Sequence, residues 1–304
     1  MVEASTGKRS RGSPLRGIVD RIEGAGARLF FGLFRLLPLD AASALGGWLG
    51  RLIGSRLGVN KRALINLKRA LPELDEAAAR RVIVGMWDNL GRVIAEYPHL
   101  GAFDIYGSKS RTEVVGLKYW EDLAAAGTPI LFISAHYGNW EVATMAATQR
   151  GLGVAEIYRA ANNPFVDALI ARFRSPVGSE LVPKGAQGAR RAIAALKEGR
   201  HIAMLVDQKM NDGIAVPFFG RDAMTAPAVA QLALRFNGAI IPARTERTRG
   251  ARFRIVFMPP IEITRSDDRQ ADIKAIMTRV NAEIERWIRE RPEMWLWLHR
   301  RWPD

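Results

Sequence analysis

The stretch from Gly127 to Ala147, GTPILFISAHYGNWEVATMAA, constrains the fold more than any other. Pro129 to Ser134 is short and apolar, carries Ile130, Phe132 and Ile133, and follows a Gly-Thr-Pro breaker, which predicts a buried strand. Tyr137-Gly138-Asn139 then predicts a tight turn. Asn139 is the expected N-cap of a helix carrying Trp140, Glu141, Val142, Ala143, Met145 and Ala146. His136 therefore leaves a strand, and Glu141 enters a helix.

On one continuous helix, residues five apart would lie about 140° apart, on different faces. A turn between them allows them to meet. A carboxylate that accepts from one imidazole nitrogen fixes the tautomer and leaves the other nitrogen to take a proton from an incoming hydroxyl. In the first helical turn, Glu141 would also be kept ionised by the helix dipole. The expectation is a His136-Glu141 general base with no nucleophile of its own. A lone His near a strand end is usually structural, but the chain has only four histidines and this one lies in HxxxxE after an apolar strand. HYGNWE resembles the HxxxxD/E signature of the glycerolipid acyltransferase superfamily. Its Gly-Asn-Trp-Glu form is similar to the lipid A late acyltransferase branch, the lauroyl and myristoyl class.

A chain of 304 residues with 48% hydrophobic content suffices for a large core. Its net charge of +14 calls for an anionic partner: nucleic acid, anionic lipid, a phosphorylated substrate or an acidic carrier protein. The absence of cysteine excludes disulfides, thiolate metal sites and a Cys nucleophile. Residues 1–16 are polar and basic and predict a disordered lead. Residues 17–58 contain LFFGLFRLLPL and AASALGGWLGRLIG, broken by Arg28, Arg35, Asp40 and Arg51. No apolar run of 18 residues is uninterrupted, so a simple spanning helix is not supported, and no cleavage site suggests a signal peptide. Two helices broken at Pro38 and lying in a membrane interface fit better, with a hairpin packed on the domain as the alternative. Residues 1–62 hold eleven Lys/Arg against four Asp/Glu.

Residues 59–304 form the expected acyltransferase domain. Pro72 separates two helices, and Leu74-Asp75-Glu76 opens the second. Gly107 to Gly116 predicts a hairpin or strand region, and Leu117 to Ala126 a helix. Val154 to Arg159 predicts a second strand, ending in YRAANNP. Arg159 at such a strand end can bind phosphate or stabilise an oxyanion. Pro164 to Arg174 and Gln187 to Lys197 are helical by period, with Gly178, Lys184 and Gly185 as a flexible basic loop between them. His201 to Val206 predicts a buried strand that releases Asp207-Gln208-Lys209. In open α/β sheets ligands bind at carboxyl strand ends, which links His136, Arg159 and Asp207. Thr225 is the expected cap of a helix reaching Phe236. Ala239 to Thr245 and Arg252 to Met258 predict strands, and Ile273 to Arg291 a long amphipathic helix. The closing EMWLWLHRRW suits either a lipid interface or core packing with a charged rim.

The resemblance covers roughly Asn60 to Trp302. It includes Asn66-Leu67 with Leu71-Pro72, Asn89-Leu90-Gly91, an Arg-x-x-x-Asn-Pro pattern at Arg159 to Pro164, Pro217-Phe218-Phe219-Gly220 and the terminal Trp-x-His-Arg-Arg. The Pro-Glu-Gly-Thr-Arg block usual in enzymes acting on glycerol phosphates is absent. The resemblance implies an α/β fold with a mixed central sheet flanked by helices and an N-terminal helical membrane-associating extension. It implies transfer of a fatty acyl chain from acyl carrier protein to a hydroxyl of a phosphorylated lipid A precursor, at the cytoplasmic face of the inner membrane. His136 and Glu141 would be catalytic, without an acyl-enzyme. Arg159, Asn163, Lys184, Asp207 and Gln208 would bind substrate or the oxyanion, and no metal or cofactor is expected. The alternatives are a related acyltransferase with another lipid acceptor, such as a phosphoinositide mannoside, and a non-enzymatic basic membrane- or nucleic-acid-binding protein. No RNP, KH-loop or zinc-finger pattern supports nucleic acid.

Overall fold

Residues 14–302 are described by a computed structural model. Of the expected disordered lead, residues 1–13 lie outside the described residues, whereas residues 14–16 open the first helix. Helices α1 (Pro14–Arg35) and α2 (Leu39–Leu49) break at Pro38, as the sequence predicts, and a short π-helical turn, Gly50–Gly54, follows. Then come α3 (Asn60–Ala70) and α4 (Glu76–Glu96), the latter capped by Asp75, whose side chain accepts from the Ala78 N–H. Glycines bring α2 and α4 into backbone contact. A Cβ on Gly91 would lie 2.1 Å from the Gly46 carbonyl oxygen, and one on Gly46 would lie 2.4 Å from that of Gly91.

The remaining elements alternate. They are β1 (Thr112–Val115), α5 (Lys118–Ala125), β2 (Ile130–Ser134), α6 (Glu141–Thr148), β3 (Val154–Tyr158), α7 (Pro164–Arg174), β4 (Glu180–Pro183), α8 (Ala186–Lys197), β5 (His201–Leu205), β6 (Lys209–Phe218), β7 (Arg221–Thr225), α9 (Ala228–Phe236), β8 (Ala239–Arg249), β9 (Arg252–Phe257) and α10 (Arg269–Glu290). Seven strands form one sheet in the order β1-β9-β8-β2-β5-β3-β4, parallel except for the antiparallel β8–β9 pair. This is the mixed, helix-flanked sheet that was expected. Strand β2 is central and buried at all five positions, which explains its unbroken apolar run. Leu131 and Ile133 pack with residues of α8, α9 and α10, while Ile130 and Phe132 pack with Trp120 of α5 and Val142, Met145 and Ala146 of α6.

Two local expectations change, and a hairpin is added between them. The basic loop between α7 and α8 contains β4, which completes the sheet edge. Pro217 to Gly220 belongs to a separate β6–β7 hairpin, turned by positive φ at Phe219 (53°) and Gly220 (67°). Thr225 does not cap α9, because it ends β7, where its hydroxyl donates to Ala223 O and accepts from Arg301. The terminal aromatics resolve to the core reading. Trp295, Trp297, Trp302 and even Arg301 are buried, and residues 292–302 form a strap across the sheet's carboxyl ends. Asn66 of α3 pins that strap by donating to the carbonyls of Trp297 and His299.

Candidate active site

Adjacent β2 and β5 pair in register with a constant offset of 71 residues, as in Leu131 with Ile202 and Ser134 with Leu205. Carried just past both strand ends, that offset sets His136 opposite Asp207. The Asp207 carboxylate accepts from His136 Nδ1 at 2.9 Å through Oδ1 and from the His136 backbone N–H at 2.9 Å through Oδ2. Trp295 Nε1 donates to the same Oδ2 at 2.8 Å. Burial works against ionisation of Asp207, but the charge and hydrogen bonds of His136, with His299 nearby, hold the carboxyl well below the usual range. With Nδ1–H committed to a carboxylate, the hydrogen-bond pattern leaves Nε2 as the acceptor. Gln208 Nε2 lies 3.4 Å from it.

The turn that carries His136 is fixed from several sides. Gly138 has φ +59°, and a Cβ there would lie 1.7 Å from the Thr245 carbonyl oxygen, so only glycine fits. Gly138 N–H donates to Met294 O, and Leu296 N–H donates to His136 O. Asn89 of α4 donates to Gly138 O. Asn139 sits one residue before the assigned helix cap; its side chain accepts from Glu141 N–H and donates to buried Glu96, which Arg247 grips through two nitrogens.

Glu141 does not reach the imidazole. It is buried and faces away, with Oε1 accepting from Tyr97 Oη at 2.6 Å, from Trp140 Nε1 at 2.8 Å and from Arg174 Nη2, while Oε2 accepts from Arg174 Nε at 2.7 Å. The physical reason is the strap: it draws residues 136–138 onto Met294–Leu296, which points Glu141 at α7 and at the 3-10 turn Tyr97–Ala102. The structure thus puts Asp207, not Glu141, in the orienting position, and Asp207 is too buried to line a substrate site. Glu141 still touches the site through Trp140, whose ring lies 5.1 Å from that of His136.

A cleft of about 320 Å³ opens at the strand ends, lined by His136, Tyr158, Arg159, Arg174, Lys184 and Gln208. Arg159 is exposed and makes no hydrogen bond among the described residues. The Lys184 pKa is lowered chiefly by burial, with the Arg159 charge adding to it. Asn163 does not face this cleft. It caps α7, accepting from the Phe165 and Val166 N–H groups, and donates to Asp20 and Glu23 of α1. Trp295, Arg174 and Tyr97 went unassigned in the sequence. Trp295 alone gave a signal, as an indole N–H in an apolar run that needs a buried partner.

His136, Asp207 and His299 place potential ligand atoms within 4.8 Å of one another, but one of those pairs is the His136–Asp207 hydrogen bond itself. Chemically, the site offers an oriented base at the edge of a cationic cleft. The family description "Bacterial lipid A biosynthesis acyltransferase" matches residues 25–304. The chain is 24% identical to the lipid A biosynthesis lauroyltransferase of Escherichia coli K12 over 272 residues, covering 87% of this chain and 86% of that protein. It is 26% identical to the lipid A biosynthesis myristoyltransferase of the same organism over 260 residues, covering 82% and 77%. A lipid A biosynthesis acyltransferase of Haemophilus influenzae is 23% identical over 273 residues, covering 87% and 85%.

Proposed function

Since the chain belongs to the bacterial lipid A biosynthesis acyltransferases and is an O-acyltransferase, we propose that it moves a fatty acyl chain from acyl carrier protein to a hydroxyl of a phosphorylated lipid A precursor, with His136 as general base. The observation that carries this reading is the polarity of the imidazole, with Nδ1 held by buried Asp207 and Nε2 toward the cationic cleft. As the acceptor hydroxyl attacks the thioester carbonyl, Nε2 takes its proton and the Asp207 charge stabilises the imidazolium. Arg159, Lys184 and Gln208 line the space where the tetrahedral oxyanion forms and where acceptor phosphate binds. Collapse breaks the C–S bond, and the imidazolium returns its proton to the departing thiolate. No acyl-enzyme is needed. Glu141 serves by holding Trp140 and Arg174 against the site.

The membrane is reached through the N-terminal helices. Ile22, Leu29 and Leu33 of α1, Leu36 just past its end and Trp48 of α2 are exposed, with Arg21, Arg28 and Arg35 interleaved. No helix among the described residues is long and apolar enough to cross a membrane. Apolar side chains with interspersed Arg suit monotopic seating among anionic head groups, on the cytoplasmic face where an acyl carrier protein is supplied. The test is incubation of the full chain with acyl carrier protein thioester and lipid A precursor in vesicles, read by mass spectrometry. The expected result is a gain of one acyl group that His136→Ala abolishes. An unchanged precursor overturns the reading.

A further inference from the structure

The cationic cleft and a second, apolar crevice share two lining residues, Glu156 and Leu205. The crevice lies between α6 and the sheet, walled by Phe132, Trp140, Ala143, Ala203, Met204 and Phe257. Its present volume is about 30 Å³, so an alkyl chain enters by turning flexible side chains such as Met204 aside. A chain whose carbonyl sits at His136 has this crevice as its apolar continuation, and Glu156 stands where the two spaces join.

Two polar groups there are poorly matched to a plain hydrocarbon. Glu156 Oε2 accepts from Ser179 Oγ at 2.9 Å, but no hydrogen bond among the described residues reaches Oε1. Arg174, the neighbouring cation, is engaged by Glu141 and Tyr97. Ser134 Oγ also borders the crevice and is buried with no partner. A methylene chain would complete the desolvation of both groups without pairing either. Burial, and secondarily the Glu141 charge, pushes the Glu156 carboxyl up to about 7, so near neutrality much of it can donate as well as accept. The reaction described above uses neither residue.

We infer that the transferred acyl chain carries a hydroxyl near its thioester end, and that Glu156 reads it at the junction of the cleft and the crevice. The inference rests on the acyl-transfer reading. A site built to hydrogen-bond a hydroxyl discriminates against the analogue lacking it far more strongly than an apolar site rejects an added hydroxyl. In the test, kcat/KM is compared for dodecanoyl, 2-hydroxydodecanoyl and 3-hydroxydodecanoyl thioesters of acyl carrier protein, with one lipid A precursor held constant. The wild type is expected to favour a hydroxylated donor by about tenfold or more. Glu156→Leu should bring that ratio to one or below, Glu156→Gln should retain part of it, and Ser134→Ala should reduce it. Each ratio is internal to one protein, so partial loss of folded enzyme cancels. Wild-type preference for the plain donor, or an unchanged ratio in Glu156→Leu, overturns the inference while leaving acyl transfer standing. No transfer from any donor overturns both.

Discussion

The indole N–H of Trp295 and the carboxylate of Asp207 meet at 2.8 Å, on the oxygen that also receives the backbone N–H of His136. Both carboxylate oxygens are therefore committed, and the imidazole has one orientation and one tautomer. Asp207→Asn would turn an amide N–H toward one or more of these donors. It should lower kcat by roughly 10²- to 10⁴-fold with little change in acceptor KM. Steady-state kinetics alongside thermal melting check this, and a folded Asp207→Asn variant with near-normal kcat would remove Asp207 from the reaction.

Glu141 behaves differently. Its ion pair with Arg174 is nearly dry, with side-chain exposures of 1% and 10%, so Glu141→Gln leaves a buried guanidinium without its counter-charge. The expected cost is about 3–5 kcal/mol of stability, read by urea denaturation. Per folded molecule, kcat should fall much less than in Asp207→Asn. This reverses the expectation from HxxxxE alone, in which Glu141→Gln would be stable and inactive.

Stability should fall with acid in a definite window. Burial, then the charge of His136, pushes the His299 pKa down to about 4, below its unfolded value of about 6.5. Above the unfolded value neither state binds a proton and stability is full. As pH falls through about 6.5 toward 4, the unfolded chain takes a proton that the folded one refuses, and about 3 kcal/mol is lost. The shallower pH slope of His299→Gln in urea unfolding between those limits is the measurement. Equal slopes would mean that His299 titrates normally in the fold.

Leu29, Leu33 and Leu36 are 66%, 57% and 81% exposed. Replacing all three with Ser should lower binding to anionic vesicles well over tenfold, given about 1.5–3 kcal/mol per buried leucine, with the melting temperature unchanged. Full retention on vesicles would mean that another surface seats the protein. Deleting residues 1–58 is a poorer probe, because it strips α2 from its glycine contact with α4.

Most elements near the site were legible because each is local. The apolar run of β2, the breaks at Pro38 and Pro72 and the strand end at Asp207 all follow from short-range pattern. What was not legible is which strand lies beside β2. Glu141 is five residues from His136 and Asp207 is 71 residues away, yet the pairing of β2 with β5 brings the distant carboxylate to the ring. Strand β4 escaped notice because four residues between Ser179 and Lys184 carry little periodicity. Asn66 and Asn89 entered only through the resemblance, because their acceptors, the strap carbonyls and Gly138 O, are distant in sequence.

The strap over residues 292–302 sets an order in time as well as in space. His136 and Asp207 are both synthesised well before Trp295, whose indole and flanking backbone hold them in place. The sheet can pair β2 with β5 on an emerging chain, but the base gains its final hydrogen bonds only when the strap closes over it. A chain interrupted before residue 295 would carry every proposed reacting group without the Trp295 indole and the strap backbone that aim them.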